Sequence, residues 1–167
     1  MAEKNGGTKI AILTVSDGVT AGTREDVSGK LACEIIQAGL HPETLTAKVV
    51  PDDRAQIEET LSTWADEGYI LVITSGGTGI SPRDNTPQAT LSVIDYEVPG
   101  IAELMRSESL KKTPMAALSR AVAGVRGRTL IINLPGSPRG VQECLDAIIP
   151  ILHHAFEQLE SGAGHAQ

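Results

Sequence analysis

Residues 70–87 read Ile-Leu-Val-Ile-Thr-Ser-Gly-Gly-Thr-Gly-Ile-Ser-Pro-Arg-Asp-Asn-Thr-Pro and hold the densest set of groups able to do chemistry. A β-branched run empties into Ser75-Gly76-Gly77-Thr78-Gly79, whose glycines permit backbone conformations that a Cβ forbids. Thr86 offers an N-cap hydroxyl and Pro87 the fixed φ of a first helical residue, so the expected order is strand, glycine loop, helix start. Such a loop turns N–H groups toward one point, and the helix dipole adds positive potential there. Anions, phosphate above all, suit that place. Arg83 adds a fork for phosphate, and Asp84 a carboxylate able to hold a hard cation. Neither the Walker pattern nor G-x-G-x-x-G is present. The plainer alternative is a turn that lets strand and helix pack closely; the adjacent hydroxyls, Arg83 and Asp84 weigh against it.

The elements that position these groups alternate in period. Apolar or β-branched runs at Lys9–Val15, Thr44–Val50 and Ile70–Thr74 predict strands. Helical spacing predicts helices over Ser28–Leu40, ended by Gly39, over Asp53–Glu67, Pro87–Ile94 and Pro99–Leu110, and from Arg139 to about Leu159 with a bend at Pro150. Val122–Val125 and Thr129–Asn133 flank Arg126-Gly127-Arg128 and predict a tight hairpin. Alternating strands and helices imply an α/β fold, with a mostly parallel sheet covered on both faces and one antiparallel edge strand. Residues 1–167 are expected to form a single domain, with frayed ends at 1–7 and 161–167.

In such sheets functional residues gather beyond the carboxyl ends of parallel strands. Four loops qualify here: Ser16-Asp17-Gly18 with the stretch Val19–Val27, Pro51-Asp52-Asp53, Ser75–Asp84, and Leu134-Pro135-Gly136-Ser137-Pro138-Arg139. In the last, Gly136 and the following helix start could form a second anion cradle. Asp52 and Asp53 could equally cap the helix that follows them.

Composition narrows the classes. Hydrophobic residues are 41% of the chain and aromatics 2%, so the core is built from aliphatic side chains. A net charge of −7 argues against nucleic acid or an anionic membrane surface as partner. Cys33 and Cys144 lie in helical segments and read as reduced core residues. No run approaches a membrane span and the start lacks a signal peptide's apolar middle, so the cytoplasm is expected. His41, His153, His154 and His165 show no metal-ligand spacing, and no serine at a strand end has an evident histidine partner, which disfavours hydrolase chemistry.

Thr74-Ser75-Gly76-Gly77-Thr78-Gly79, Pro82-Arg83-Asp84, Thr86-Pro87, Leu118-Ser119-Arg120 and Leu134-Pro135-Gly136-Ser137-Pro138 together resemble the MogA/MoaB molybdopterin-binding family, relatives of the gephyrin G domain. The resemblance runs from about Lys9 to Leu159. It implies a three-layer α/β/α fold, a homotrimer, and adenylylation of molybdopterin by Mg-ATP with release of pyrophosphate. It implies further that Asp52 and Asp84 serve catalysis and Mg²⁺, and that Ser119 lies near the pterin–nucleotide product. Asp17, Ser75, Gly76, Gly77, Thr78, Gly79, Pro135, Gly136 and Ser137 become the remaining candidate ligand contacts. Asp52 is preferred to Asp53, which is better placed as an N-cap. A molybdenum-insertion protein is the implied recipient of the product. The alternatives are a non-catalytic molybdopterin carrier of MoaB type and, more remotely, a nucleotide phosphatase.

Overall fold

The computed structural model describes residues 7–161. Its strands are β1 (Lys9–Val15), β2 (Thr44–Val50), β3 (Leu71–Ser75), β4 (Tyr96–Glu97), β5 (Ala123–Arg126) and β6 (Thr129–Leu134). Its α-helices are α1 (Asp17–Thr20), α2 (Val27–Leu40), α3 (Arg54–Asp66), α4 (Thr86–Val93), α5 (Pro99–Leu110) and α6 (Pro138–Ser161), with a 3₁₀ helix over Pro114–Leu118. The expected frayed ends fall, apart from Gly7 and Ser161, outside the described residues.

One sheet runs in the order β2-β1-β3-β6-β5-β4. The first four strands are parallel, and β5 is antiparallel to both β6 and β4. The expected single antiparallel edge strand is thus one place further in, because Tyr96–Glu97 adds a two-residue strand outside it. Two residues carry no readable period, which is why the sequence reads there as a mere gap between helices.

The apolar runs of β1, β3 and β6 are continuous because helices cover both faces. Ile10, Ile12, Leu71, Ile73, Leu130 and Ile132 face α2, α5 and α6. Ala11, Leu13, Val72 and Ile131 face α3 and α4. The result is three layers. Helix α6 buries Val141, Cys144, Leu145, Ile148, Leu152 and Phe156 at helical spacing, each large side chain contributing about 1.5–3 kcal/mol. That helix continues through Pro150. Helix α2 passes through Gly39, which faces Ile149 of α6, and ends at His41 in the left-handed region. Both cysteines are free thiols, Cys144 buried and Cys33 partly so. Among the described residues no helix is long and apolar enough to cross a membrane.

Register decides where the loops meet. Val15 pairs with Val50, Thr14 with Ser75, and Ser75 with Leu134, so four parallel strands end at one edge. Strand β5 runs back from that edge, which brings Ser119 and Arg120 there as well.

Candidate functional site

The four loops expected at the strand ends are joined by specific bonds. Ser75 Oγ donates to Pro135 O at 3.1 Å, and Gly76 N to Leu134 O at 3.2 Å, stitching the glycine loop to the loop after β6. Ser28 Oγ on α2 donates to Gly136 O at 2.7 Å. Asp17 and Asp52 exchange bonds: Asp17 N donates to Asp52 Oδ2 and Asp52 N to Asp17 Oδ1, both at 2.9 Å. The Val15–Val50 register is what brings these two loops face to face.

The glycine loop has the conformation its residues permit. Gly76 and Gly77 have φ of +100° and +69°, a region costly for other L-residues. A Cβ on Gly76 would strike the Val15 carbonyl oxygen, and one on Gly77 would strike Thr86 Oγ1 and approach Asp52 Oδ1 to 3.2 Å. Thr86 behaves otherwise than expected. Asn85 is the N-cap of α4, without a side-chain capping bond, while Thr86 Oγ1 donates back to Gly76 O at 2.8 Å. The hydroxyl closes the glycine turn instead of capping its own helix.

Two cavities open along this edge. One, of about 560 Å³, is lined by Asp52, Asp84, Ser75, Gly76, Gly77, Gly136 and Ser137, together with Arg24, Asp26 and Ser28. The other, of about 450 Å³, is lined by Thr78, Gly79, Ser119, Pro135, Gly136 and Ser137, with an apolar wall that includes Ala102, Met105, Met115, Leu118 and Ala121. Gly136 and Ser137 border both cavities. Ser137 caps α6, accepting from Gly140 N at 3.1 Å, so the N-terminus of a long helix faces each. The second anion cradle was expected at this place, and a helix N-terminus there suits an anion. Of the candidate residues, Asp17 and Arg83 line neither cavity.

Asp17 holds Arg83 instead. Arg83 Nε and Nη2 reach Asp17 Oδ2 at 3.0 and 2.8 Å. The fork expected to meet phosphate is therefore engaged by a carboxylate. The Asp52 N–H, with the Arg83 guanidinium second, holds the Asp17 carboxyl below its ordinary range, and Asp17 raises Arg83 in turn. Asp52 shifts the opposite way. Burial is the main cause of its raised pKa, the charges of Asp17 and Asp84 add to it, and the bond from Asp17 N opposes it. Asp53 caps α3, accepting from Gln56 N at 2.9 Å, as its position predicts.

Asp52 and Asp84 supply hard oxygen donors to one cavity. Asp52 Oδ2 is taken by Asp17 N and Asp84 Oδ2 by Ser81 N at 2.9 Å, which leaves Oδ1 of each to a ligand. Like charges that raise the Asp52 pKa are relieved by a divalent cation, so this donor set fits Mg²⁺. Among the described residues no group of three or more His, Cys, Asp or Glu converges as a self-sufficient metal site. Sequence reasoning did not single out Arg24, although it marked the loop that carries it. Nor did it single out Arg139, although it named it at the end of the fourth loop, and it missed Arg106; both lie on the wall of the smaller cavity, and nothing in their spacing distinguishes them from surface arginines.

Comparison with known proteins agrees with the geometry. The family model described as "Probable molybdopterin binding domain" matches residues 11–154. The molybdopterin adenylyltransferase of Helicobacter pylori (strain J99) is 43% identical over 150 residues, covering 89% of this chain and 85% of that protein. Gephyrin of Dictyostelium discoideum is 38% identical, covering 95% of this chain and 24% of its own length. The crystal structure of the molybdopterin biosynthesis enzyme MoaB from Thermus thermophilus superposes with a TM-score of 0.85 at 52% identity, covering 91% of this chain and 96% of that one. The chain belongs to the MogA/MoaB family of molybdopterin-binding domains.

Proposed function

We propose that this protein is a molybdopterin adenylyltransferase of molybdenum cofactor biosynthesis, which transfers AMP from Mg-ATP to molybdopterin and releases pyrophosphate. The observation that carries this reading is the pair of cavities sharing Gly136 and Ser137 at the start of α6, one bearing two aspartates and the other largely apolar. Two substrates that must meet end to end need such adjoining sites. Relatives named for this activity, at about 40% identity over most of the chain, support it.

A terminal phosphate oxygen of molybdopterin attacks the α-phosphorus of ATP, and the bond to the bridging oxygen of the β-phosphate breaks. The attacking oxygen is already anionic at neutral pH, so no general base is needed, consistent with the lack of a histidine on either cavity. The protein's part is positioning and charge neutralisation. Asp52 and Asp84 would hold Mg²⁺, which when bound withdraws charge from the phosphates. The N–H groups at the start of α6 and the Arg24 side chain offer positive potential to the anions. The hydroxyl of Ser119 and the apolar wall beside it suit the flat pterin or its nucleotide product.

The homotrimer, the single-domain organisation, the cytoplasmic setting and hand-off to a molybdenum-insertion protein belong to the same proposal. Exposed Ile80 and Leu110, on the wall of neither cavity, provide apolar surface for a contact between copies. Pyrophosphate release measured with ATP, molybdopterin and Mg²⁺ tests the activity. Release dependent on all three supports it. Molybdopterin binding without release identifies a carrier, and ATP consumption without molybdopterin identifies a phosphatase.

A further inference from the structure

We infer that Arg120 is a positioning residue whose guanidinium sets the Thr78–Asp84 loop, and with it the Asp84 carboxylate, against the segment that carries Ser119. Its catalytic consequence rests on the function proposed above; its structural consequence does not.

Arg120 donates three times to one loop. Its N–H reaches Thr78 O at 2.8 Å, Nε reaches Gly79 O at 2.7 Å, and Nη2 reaches Asp84 O at 2.8 Å. Thr78 and Gly79 border the cavity that holds Ser119, whereas Asp84 borders the cavity that holds Asp52. One side chain therefore ties the walls of both cavities together. Arg120 lines neither of them, so it acts through what it holds.

The rest of the loop transmits that hold to the carboxylate. Asp84 N donates to Ser81 O at 2.9 Å, and Ser81 N donates back to Asp84 Oδ2 at 2.9 Å, which makes 81–84 a closed turn. Gly79 lies so close to the carboxylate that a Cβ there would come within 2.9 Å of Oδ2. Pinning the carbonyls of Gly79 and Asp84 thus fixes both the support beneath Asp84 and the backbone that bears it. A planar guanidinium spans the two carbonyls at once, whereas a lysine ammonium is a point donor on a flexible stem and fully satisfies only one. Charge-assisted bonds of this kind are also stronger than neutral ones.

Arg120→Met and Arg120→Lys test the inference in two assays. In the free protein, amide hydrogen exchange over residues 78–85 should quicken at least tenfold in Arg120→Met and less in Arg120→Lys, with the amides of β1 and α6 unchanged. In turnover, Arg120→Met should lower kcat at least 30-fold while the KM for molybdopterin stays within threefold, and Arg120→Lys should recover part of the loss. Placed on an Asp84→Asn background, Arg120→Met should cost less than a further threefold, because both act through one carboxylate. Unchanged exchange at 78–85, exchange that rises equally in β1 and α6, or full additivity with Asp84→Asn would each overturn the inference. If the unaltered protein proves to be a carrier, the proposed reaction fails, and the exchange experiment alone decides the role of Arg120.

Discussion

Asp84→Asn separates the chemistry of the aspartate cavity from its architecture. Asparagine keeps an oxygen for the bond from Ser81 N, so the 81–84 turn should survive. The residue is a partly exposed loop position, and the change in unfolding free energy should stay within about 0.5 kcal/mol. What disappears is one of the two negative charges that line this cavity and that the proposed reaction assigns to Mg²⁺. Loss of one hard ligand of two should lower kcat about 100-fold, roughly 3 kcal/mol of transition-state stabilisation. A second readout follows from the electrostatics. The Asp84 charge is one cause of the raised pKa of Asp52, after burial and the charge of Asp17. The working Asp52 is the ionised form, so activity rises with pH through its raised pKa. Removing the like charge lets Asp52 ionise at lower pH, and the acid limb of kcat/KM should move down. Pyrophosphate release measured across pH and Mg²⁺ concentration provides both quantities. Near-normal turnover at limiting Mg²⁺, or an acid limb displaced upward, would refute the reasoning.

Ser119→Ala should weaken molybdopterin binding by about 1–2 kcal/mol, because the hydroxyl oxygen accepts only a long bond from Ala121 N at 3.3 Å and its proton is left for a ligand. Fluorescence titration checks this; Asp52→Asn and Asp84→Asn should leave the same titration largely unchanged. Gly76→Ala should cost roughly 2–4 kcal/mol in thermal unfolding, since a positive φ is compounded by collision with the Val15 carbonyl. Gly22→Ala, at φ +75° with open space around it, should cost only about 1 kcal/mol; equal losses at the two sites would disprove the steric account. Asn133→Leu should destabilise by about 3 kcal/mol, since fully buried Asn133 accepts from Val122 N at 3.2 Å and donates to the hydroxyls of Thr74 and Thr90 at 3.0 and 2.9 Å. Denaturant titration with an unchanged midpoint would contradict it.

The strands expected at Ile70–Thr74, Val122–Val125 and Thr129–Asn133 are each displaced or extended by one residue, to Leu71–Ser75, Ala123–Arg126 and Thr129–Leu134. Two strands were legible in the sequence to the residue, Lys9–Val15 and Thr44–Val50, as was the helix Pro99–Leu110. The one-turn α1 and the two-residue β4 were not, because neither is long enough to show a period. The gathering of four loops at one edge followed from alternation alone. The bonds between those loops did not. Asp17 meets Asp52 across 35 positions of chain, and Arg83 turns to Asp17 across 66; both depend on register, which local composition does not encode. Ser119 was found only through a family motif, and Arg120, one residue on, shows its part only when its three carbonyl partners are in view.

Parallel register also gives the molecule a second rim, opposite the cavities. Strand β1 is seven residues long, so at about 3.3 Å per residue the turns at the amino ends lie on the order of 20 Å from the cavities. Gly68 before β3 and Gly127 before β6 stand at such turns, with open space around each. A fluorophore or surface tether attached at Arg128, beside the second of these, would sit across the full height of the sheet from the aspartates. The protein can thus be immobilised or labelled by one rim while both cavities stay open to ligand at the other.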